Sequence, residues 1–373
     1  METRLVKLDP ANPDMDELRS AAGILDAERL VAFPTETVYG IGCAVTAKAL
    51  QTLNTIKQRA ADKRYTLHIP DKKLLARYVP KIPIRAKKLI ENLWPGPLTI
   101  VFTLSPQDLQ NQRKAVETDA FDELYKDGTI GIRCPDNLIA QKLLALTKRP
   151  IVAPSANLAG QKPASSAQQV LDDFSGKIDV ILDASQDTTP KTSSTVVRAD
   201  GPDLRILRPG AIAEKDIIAA STVKILFVCT GNICRSPMAE YFCKKYLAEK
   251  LKCGIDEVEK TGYKIASAGT MGISGIPAST EVIDICTEIG IDATGHRSRF
   301  LTLQEIETSD IIFAMTKSHS ERILDLCPDA QDKCMLLDEA GNIIDPIGQG
   351  RKVYNTCAQH IQRALNQRMD EIL

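Results

Sequence analysis

The chain has 373 residues, 43% of them hydrophobic and 25% charged, with a formal net charge of -1 and a pI of about 6.5. That length favours two domains over one, and the balanced charge argues against a globally basic nucleic-acid binder. METRLVKLDPAN lacks the apolar stretch of a secretory leader and no apolar run approaches bilayer length, so a soluble, cytoplasmic protein with no membrane partner is expected. The ten cysteines include no C-x-x-C pair, so neither a zinc ribbon nor a dithiol redox centre is indicated and no resident metal is expected.

From residue 5 to 210, short β-type runs alternate with stretches of helical periodicity. Helices are expected over 15–28, 47–60, 84–93 and 137–148. Strands are expected at RLVAF (29–33), TLHI (66–69), LTIVFTL (98–104), TIGIRC (129–134), PIVAPS (150–155), VILDA (180–184), STVVRA (194–199) and LRILRPG (204–210). This pattern predicts an α/β domain with a twisted mixed sheet over 1–212. After the Arg208-Pro209-Gly210 breaker, 213–222 reads as a linker. A second α/β domain is expected over 223–373. Its four strands, KILFVC, KIASAG, DIIFAM and CMLL, alternate with helices, which implies a parallel sheet.

Three polar segments of the first half sit beside strands. PTETVYG (34–40) carries the hydroxyls of Thr35, Thr37 and Tyr39; alone it reads equally as a turn. KQRAADKR (57–64) gathers Lys57, Arg59, Lys63 and Arg64 against Asp62; alone it reads as a solvated helix end. APSANLAG (153–160) offers small polar residues for close approach to a ligand. Together with LWPGPLT, GTIGIRCP, SSTVV and LRPGAI, the three resemble the YrdC-like threonylcarbamoyl-AMP synthase family. The resemblance implies condensation of L-threonine, bicarbonate and ATP, with Mg²⁺ on the nucleotide and release of pyrophosphate. A tRNA-modifying transferase machinery would act downstream. It further implies that Lys57, Arg59, Thr129, Ser155, Asn157 and Arg208 bind ATP, and that Thr35, His68, Arg133 and Ser194 hold L-threonine. Phosphate neutralisation and alignment suit such a reaction more than a protein nucleophile does. Ala60, Arg64-Tyr65 and Ala159 depart from the family pattern. Some YrdC-like domains are assigned RNA binding, so a tRNA- or nucleotide-binding sensor that regulates the second domain is the alternative.

The second half opens on KILFVCTGNICRSPMAE (224–240). Ligands of open parallel sheets bind beyond the carboxyl ends of strands, which is where Cys229 falls. Gly231 and Asn232 tolerate the left-handed backbone that a tight anion-binding loop requires. A helix is expected from near Pro237, with Ser236 as its N-cap, adding its positive end to the loop. Such a setting favours a Cys229 thiolate. Arg235 supplies a fork for two oxygens of a tetrahedral oxyanion, and Asp345 of DPIG is the candidate acid.

With SAGT (267–270) and HRSR (296–299), these motifs resemble the low-molecular-weight protein tyrosine phosphatase family, which needs no cofactor. The resemblance implies that Cys229 forms a phosphocysteine, Arg235 binds the phosphoryl group, and Asp345 protonates the leaving group and then activates water. Thr230, Gly231, Asn232, Ile233, Cys234 and Ser236 would complete the phosphate loop, with Cys234 able to form a reversible disulfide with the nucleophile. The substrate is a phosphoprotein in this reading. Ile233 is similar to the phosphotyrosine branch, whereas Thr230 and the short DPIG are similar to the phosphoarginine branch. Arsenate reduction is the third alternative.

Overall fold

The computed structural model describes residues 2–60, 63–184, 192–272 and 274–373; Asp62, counted above with the basic segment, lies outside the described residues. The chain forms two compact units, Met1–Asp200 with Leu204–Ala220, and Gly201–Asp203 with Ser221–Leu373.

The first unit holds β1 (Arg4–Lys7), β2 (Val31–Phe33), β3 (Gly40–Ala44), β4 (Thr66–His68), β5 (Leu98–Thr103), β6 (Thr129–Arg133), β7 (Ile151–Val152), β8 (Val180–Asp183), β9 (Thr195–Arg198) and β10 (Arg205–Arg208). They form one ten-stranded sheet in the order β1-β8-β2-β3-β7-β4-β6-β5-β9-β10. Parallel pairs such as β4·β6 alternate with antiparallel ones such as β5·β6, so the sheet is mixed, as the α/β reading expects. Two strands were not anticipated. β1 is a short edge strand. β3 reads GIGCA, and glycines weaken a strand signal. Gly42 is nonetheless required there, because a Cβ would lie 2.8 Å from the Phe33 ring.

The expected helices form, and their ends have local causes. Asp14 accepts the amides of Asp16 and Glu17 to start Met15–Asp26. Thr46 caps Ala47–Lys57, which stops where Gln58 turns left-handed at φ 51°. Leu50, Leu53 and Lys57 fall on one buried stripe of that helix, and this spacing carries the Lys57 amine inward. The stretch expected as a linker instead contains a helix, Glu214–Ala220, which buries Ile217 and belongs to the first unit.

The second unit is built on β11 (Val223–Cys229), β12 (Tyr263–Gly269), β13 (Ile311–Ala314) and β14 (Cys334–Leu336), in the order β12-β11-β13-β14 with every pair parallel. β11 is buried along almost its whole length, as a central strand of a parallel sheet must be. Cys229 is in register with Gly269, and Val228 with Ala314, so the strand ends converge on the cysteine loop. Phe227 and Phe313, both fully buried, stack across β11 and β13 with centroids 5.4 Å apart. Phe227→Ala is expected to destabilise this unit by about 3–5 kcal/mol. Hydrogen exchange should show the loss as reduced protection of β11 and β13 amides, with the first unit unchanged.

Candidate active sites

In the first unit, sheet register assembles a polar row. His68 on β4 and Thr99 on β5 both lie opposite Arg133 on β6. Arg133 is buried; it donates to Thr37 Oγ1 at 2.8 Å and to Thr35 Oγ1 at 3.5 Å, and pairs with Glu36 at 2.8 Å. Burial, and then the Arg133 charge, push the His68 imidazole down to about 3, so the ring is neutral. Its Nδ1 lies 3.0 Å from the Thr66 carbonyl. A carbonyl only accepts, so Nδ1 carries the proton and Nε2 is left as an acceptor. Ser194 Oγ lies 3.0 Å from Thr99 Oγ1, and Arg208 donates to the Ser194 carbonyl at 2.7 Å and hydroxyl at 3.1 Å.

Thr35, His68, Arg133 and Ser194 line a single pocket. Lys57, Arg59, Thr129, Ser155, Asn157 and Arg208 line a second, larger one. The two share Arg59, Arg64, Thr66, Thr99, Ser155 and Arg208, so they form a continuous cleft. Among the described residues the larger pocket is lined by six cationic side chains, including Lys63, Arg64 and Arg198, and by no carboxylate. Lys57 donates to the carbonyls of Ser155, at 2.6 Å, and of Asn157. Burial, reinforced by Arg59 and Lys63, pushes its amine down to about 8. Arg59 lies over the Tyr65 ring, 4.9 Å from its centroid, and donates to the Arg64 carbonyl. Ser155 and Asn157 hold each other through a 2.6 Å side-chain hydrogen bond. Sequence reasoning missed Glu36, Thr66, Thr99 and Arg198. Only the register, which sets Thr99 against Arg133 and against Val196 of β9, marks the two on β5 and β9 as facing the same cleft.

In the second unit, β11 delivers Cys229 to the loop that leads into the helix Arg235–Leu251. The Asn232 amide points at Cys229 Sγ from 3.3 Å, and Ser236 Oγ lies 3.0 Å from the same sulfur. Asn232 adopts the left-handed conformation at φ 53°, whereas Gly231 does not. The Asn232 side chain explains how this is tolerated. Its Nδ2 donates to Ser236 Oγ at 2.9 Å and Ser267 Oγ at 2.8 Å, and its Oδ1 accepts the Arg299 amide. Ser267 in turn donates to Glu240, and His296 Nε2 reaches the Asn232 carbonyl at 2.8 Å. The helix begins at Arg235, not at Pro237. Ser236 therefore sits inside the first turn, and its hydroxyl is directed to the thiol rather than to capping.

Arg235, buried, forms an ion pair with Asp345, donates to Thr230 Oγ1 at 3.2 Å and reaches the Ile343 carbonyl at 3.4 Å. Asp345 is thus brought to the cysteine loop across 110 residues. Cys234 is buried against the Tyr354 hydroxyl at 3.3 Å, and burial pushes its thiol up. Thr230 also lies 2.8 Å from His319 Nε2, a residue that sequence reasoning did not single out. The Ile233 carbonyl accepts the Ser279 amide. Among the described residues, no cluster of three or more His, Cys, Asp or Glu side chains is arranged to hold a metal, and no helix is long and apolar enough to cross a membrane.

A family model described as telomere recombination, for Sua5, YciO and YrdC, matches residues 23–210, and one for low-molecular-weight phosphotyrosine protein phosphatases matches 224–373. The chain belongs to both families. The Sua5/YrdC unit is 37% identical over 202 residues to threonylcarbamoyl-AMP synthase of Pyrococcus abyssi, covering 54% of this chain and 56% of that protein. The chain thus spans little more than half the length of the curated relatives it first matches. A crystal structure of Pyrococcus abyssi Sua5 complexed with L-threonine aligns over 99% of this chain and 98% of its own with a TM-score of 0.51. Its 21% identity makes that a likeness of fold. Vibrio vulnificus Wzb in complex with benzylphosphonate is 30% identical to the phosphatase-family unit, over 40% of this chain and 99% of that one, with a TM-score of 0.36.

Two outcomes follow from this geometry. A lysine whose folded proton affinity is depressed binds fewer protons folded than unfolded, between about pH 8 and its unfolded value. Stability of the Sua5/YrdC unit should therefore rise with pH across that window, and the rise should be smaller in Lys57→Met by chemical denaturation. In the phosphatase-family unit, a Cβ on Gly269 would lie 2.7 Å from the Thr230 carbonyl and 3.0 Å from the Asn232 amide. Gly269→Ala should thus weaken binding of inorganic phosphate at least tenfold by calorimetry while leaving the unit folded.

Proposed function

We propose that the chain is bifunctional, a threonylcarbamoyl-AMP synthase joined to a cysteine-dependent protein phosphatase. The observation that supports the first activity is the pocket lined, among the described residues, by six cations and no carboxylate, which opens into the smaller polar pocket around Arg133. The cations would neutralise the triphosphate of ATP, and Arg133, His68, Thr35 and Ser194 would seat L-threonine beside it. The threonine amine condenses with bicarbonate, the new N–C bond replacing a C–O bond that leaves as water, to give a carbamate. A carbamate oxygen attacks the α-phosphorus and pyrophosphate leaves with the bridging electron pair. Lys57 would exchange its two carbonyl partners for phosphate oxygens. Mg²⁺ would travel on the phosphate oxygens and water, consistent with its reluctance to shed hydration. The product suits a downstream transferase that modifies tRNA.

For the second activity, the support is the Cys229 sulfur held between the Asn232 amide and the Ser236 hydroxyl, with Arg235 and Asp345 alongside. The thiolate attacks phosphorus, the leaving group takes a proton from Asp345, and water then releases phosphate from the sulfur. The substrate would be a phosphoprotein. Ile344 and Ile347, both exposed, give the Asp345 loop an aliphatic rim with no aromatic ring, which with Thr230 favours phosphoarginine over phosphotyrosine.

Pyrophosphate release by the whole chain should require ATP, Mg²⁺, L-threonine and bicarbonate together, and should fall at least a hundredfold in Lys57→Ala. Release independent of threonine, or none from a protein that binds ATP, would replace the synthase reading with that of a nucleotide or RNA sensor. Cys229→Ser should abolish hydrolysis of both phosphoarginine and phosphotyrosine peptides. The ratio of their kcat/KM values in the wild type then assigns the substrate, and phosphatase activity surviving in Cys229→Ser would refute the mechanism.

A further inference from the structure

His319 lies in the helix Lys317–Leu326, whose N-cap is Thr316. The helix follows β13, so its start sits at the same edge of the parallel sheet as the cysteine loop. The His319 ring is buried and both nitrogens are engaged. Nδ1 lies 2.8 Å from Thr316 Oγ1, and Nε2 lies 2.8 Å from Thr230 Oγ1. Thr230 Oγ1 also accepts Arg235 Nη2 at 3.2 Å. Burial first, and then the Arg235 charge, push the imidazole down to about 4, so it is neutral and offers one donor and one acceptor.

The order of contacts gives this ring a role. Asn232 and Ser236 hold the sulfur. The guanidinium is held by Asp345, Ile343 and Thr230. A phosphoryl group arriving at Arg235 competes directly with the Asp345 carboxylate. The Ile343 carbonyl and the Thr230 hydroxyl are then the anchors that remain. A threonine hydroxyl can turn among staggered positions, and His319 fixes which one it occupies.

We infer that His319 is a positioning residue of the phosphoryl-transfer site, acting through Thr230 to orient the Arg235 guanidinium for the phosphoryl oxygens. The inference rests on the phosphatase reading of this unit.

Two amide substitutions separate this role from packing. The Gln amide nitrogen reaches the place of Nε2 and keeps the Thr230 contact, whereas the Asn amide reaches only the place of Nδ1 and keeps the Thr316 contact. His319→Asn should lower kcat/KM for p-nitrophenyl phosphate on the order of tenfold or more, since misorientation of a positioning group acts on the barrier. It should weaken inorganic phosphate binding to a similar degree, while His319→Gln stays within about threefold of wild type. Thr230→Val should cost about as much as His319→Asn, and the double variant little more than either, because both remove one linked interaction. Equal losses in the Asn and Gln variants that track their melting temperatures would show a packing role and overturn the inference, as would a His319→Asn variant indistinguishable from wild type. If His319→Asn does not fold, Thr230→Val decides in its place, phosphate affinity and kcat/KM indistinguishable from wild type overturning the inference. Wild-type protein that binds inorganic phosphate but hydrolyses no phosphoester would defeat the phosphatase reading alone, and phosphate affinities of the variants would still decide His319. Failure of the wild type to bind phosphate would defeat both.

Discussion

A cation taken out of water has to be answered by partners of the right kind, and both units are organised around that demand. In the Sua5/YrdC unit, Arg133 is met by Glu36 and Thr37, and Lys57 by two carbonyls of the Ser155–Asn157 loop. In the phosphatase-family unit, Arg235 is met by Asp345, Thr230 and Ile343. The loops that supply these partners also carry the candidate site residues, so satisfying the buried charge and shaping the site are one act.

The sheets determine how that is achieved. In the mixed sheet, cross-strand register sets Thr99, Arg133 and His68 in a row, and a helical stripe brings Lys57 to the same region. In the parallel sheet, the strand ends converge, and Gly269 lies so close to the Thr230 carbonyl that only a hydrogen fits. The first site is thus read across strands, and the second is read at their ends. Each follows from its sheet type.

Much of this was legible in the sequence, for physical reasons. Buried parallel strands such as KILFVC are continuous apolar runs, and the cysteine loop concentrates its chemistry in eight consecutive residues. What escaped has reasons as well. β3 carries two glycines in five residues and gives no strand signal. The helix start was misplaced because Ser236 and Pro237 suit an N-terminus, yet the thiol claims the serine hydroxyl and the helix opens at Arg235. Of the two residues able to turn left-handed, the structure uses Asn232, since its side-chain amide is held by two serines and the Arg299 amide. The reach from Thr230 to His319 spans 89 residues, and no local pattern announces a contact of that range.

The Arg235–Asp345 pair has a consequence for timing. As the side chains stand, the two opposite charges cancel, and the carboxylate, with its side chain 42% exposed, remains open to water. An anion that takes over the guanidinium leaves that carboxylate with a negative neighbour in place of a positive one. One guanidinium cannot serve both partners in full, so the Asp345 contact and an anion on Arg235 exclude each other. The pair is a two-way latch: the grip that holds the Asp345 loop is the grip an incoming oxyanion would claim.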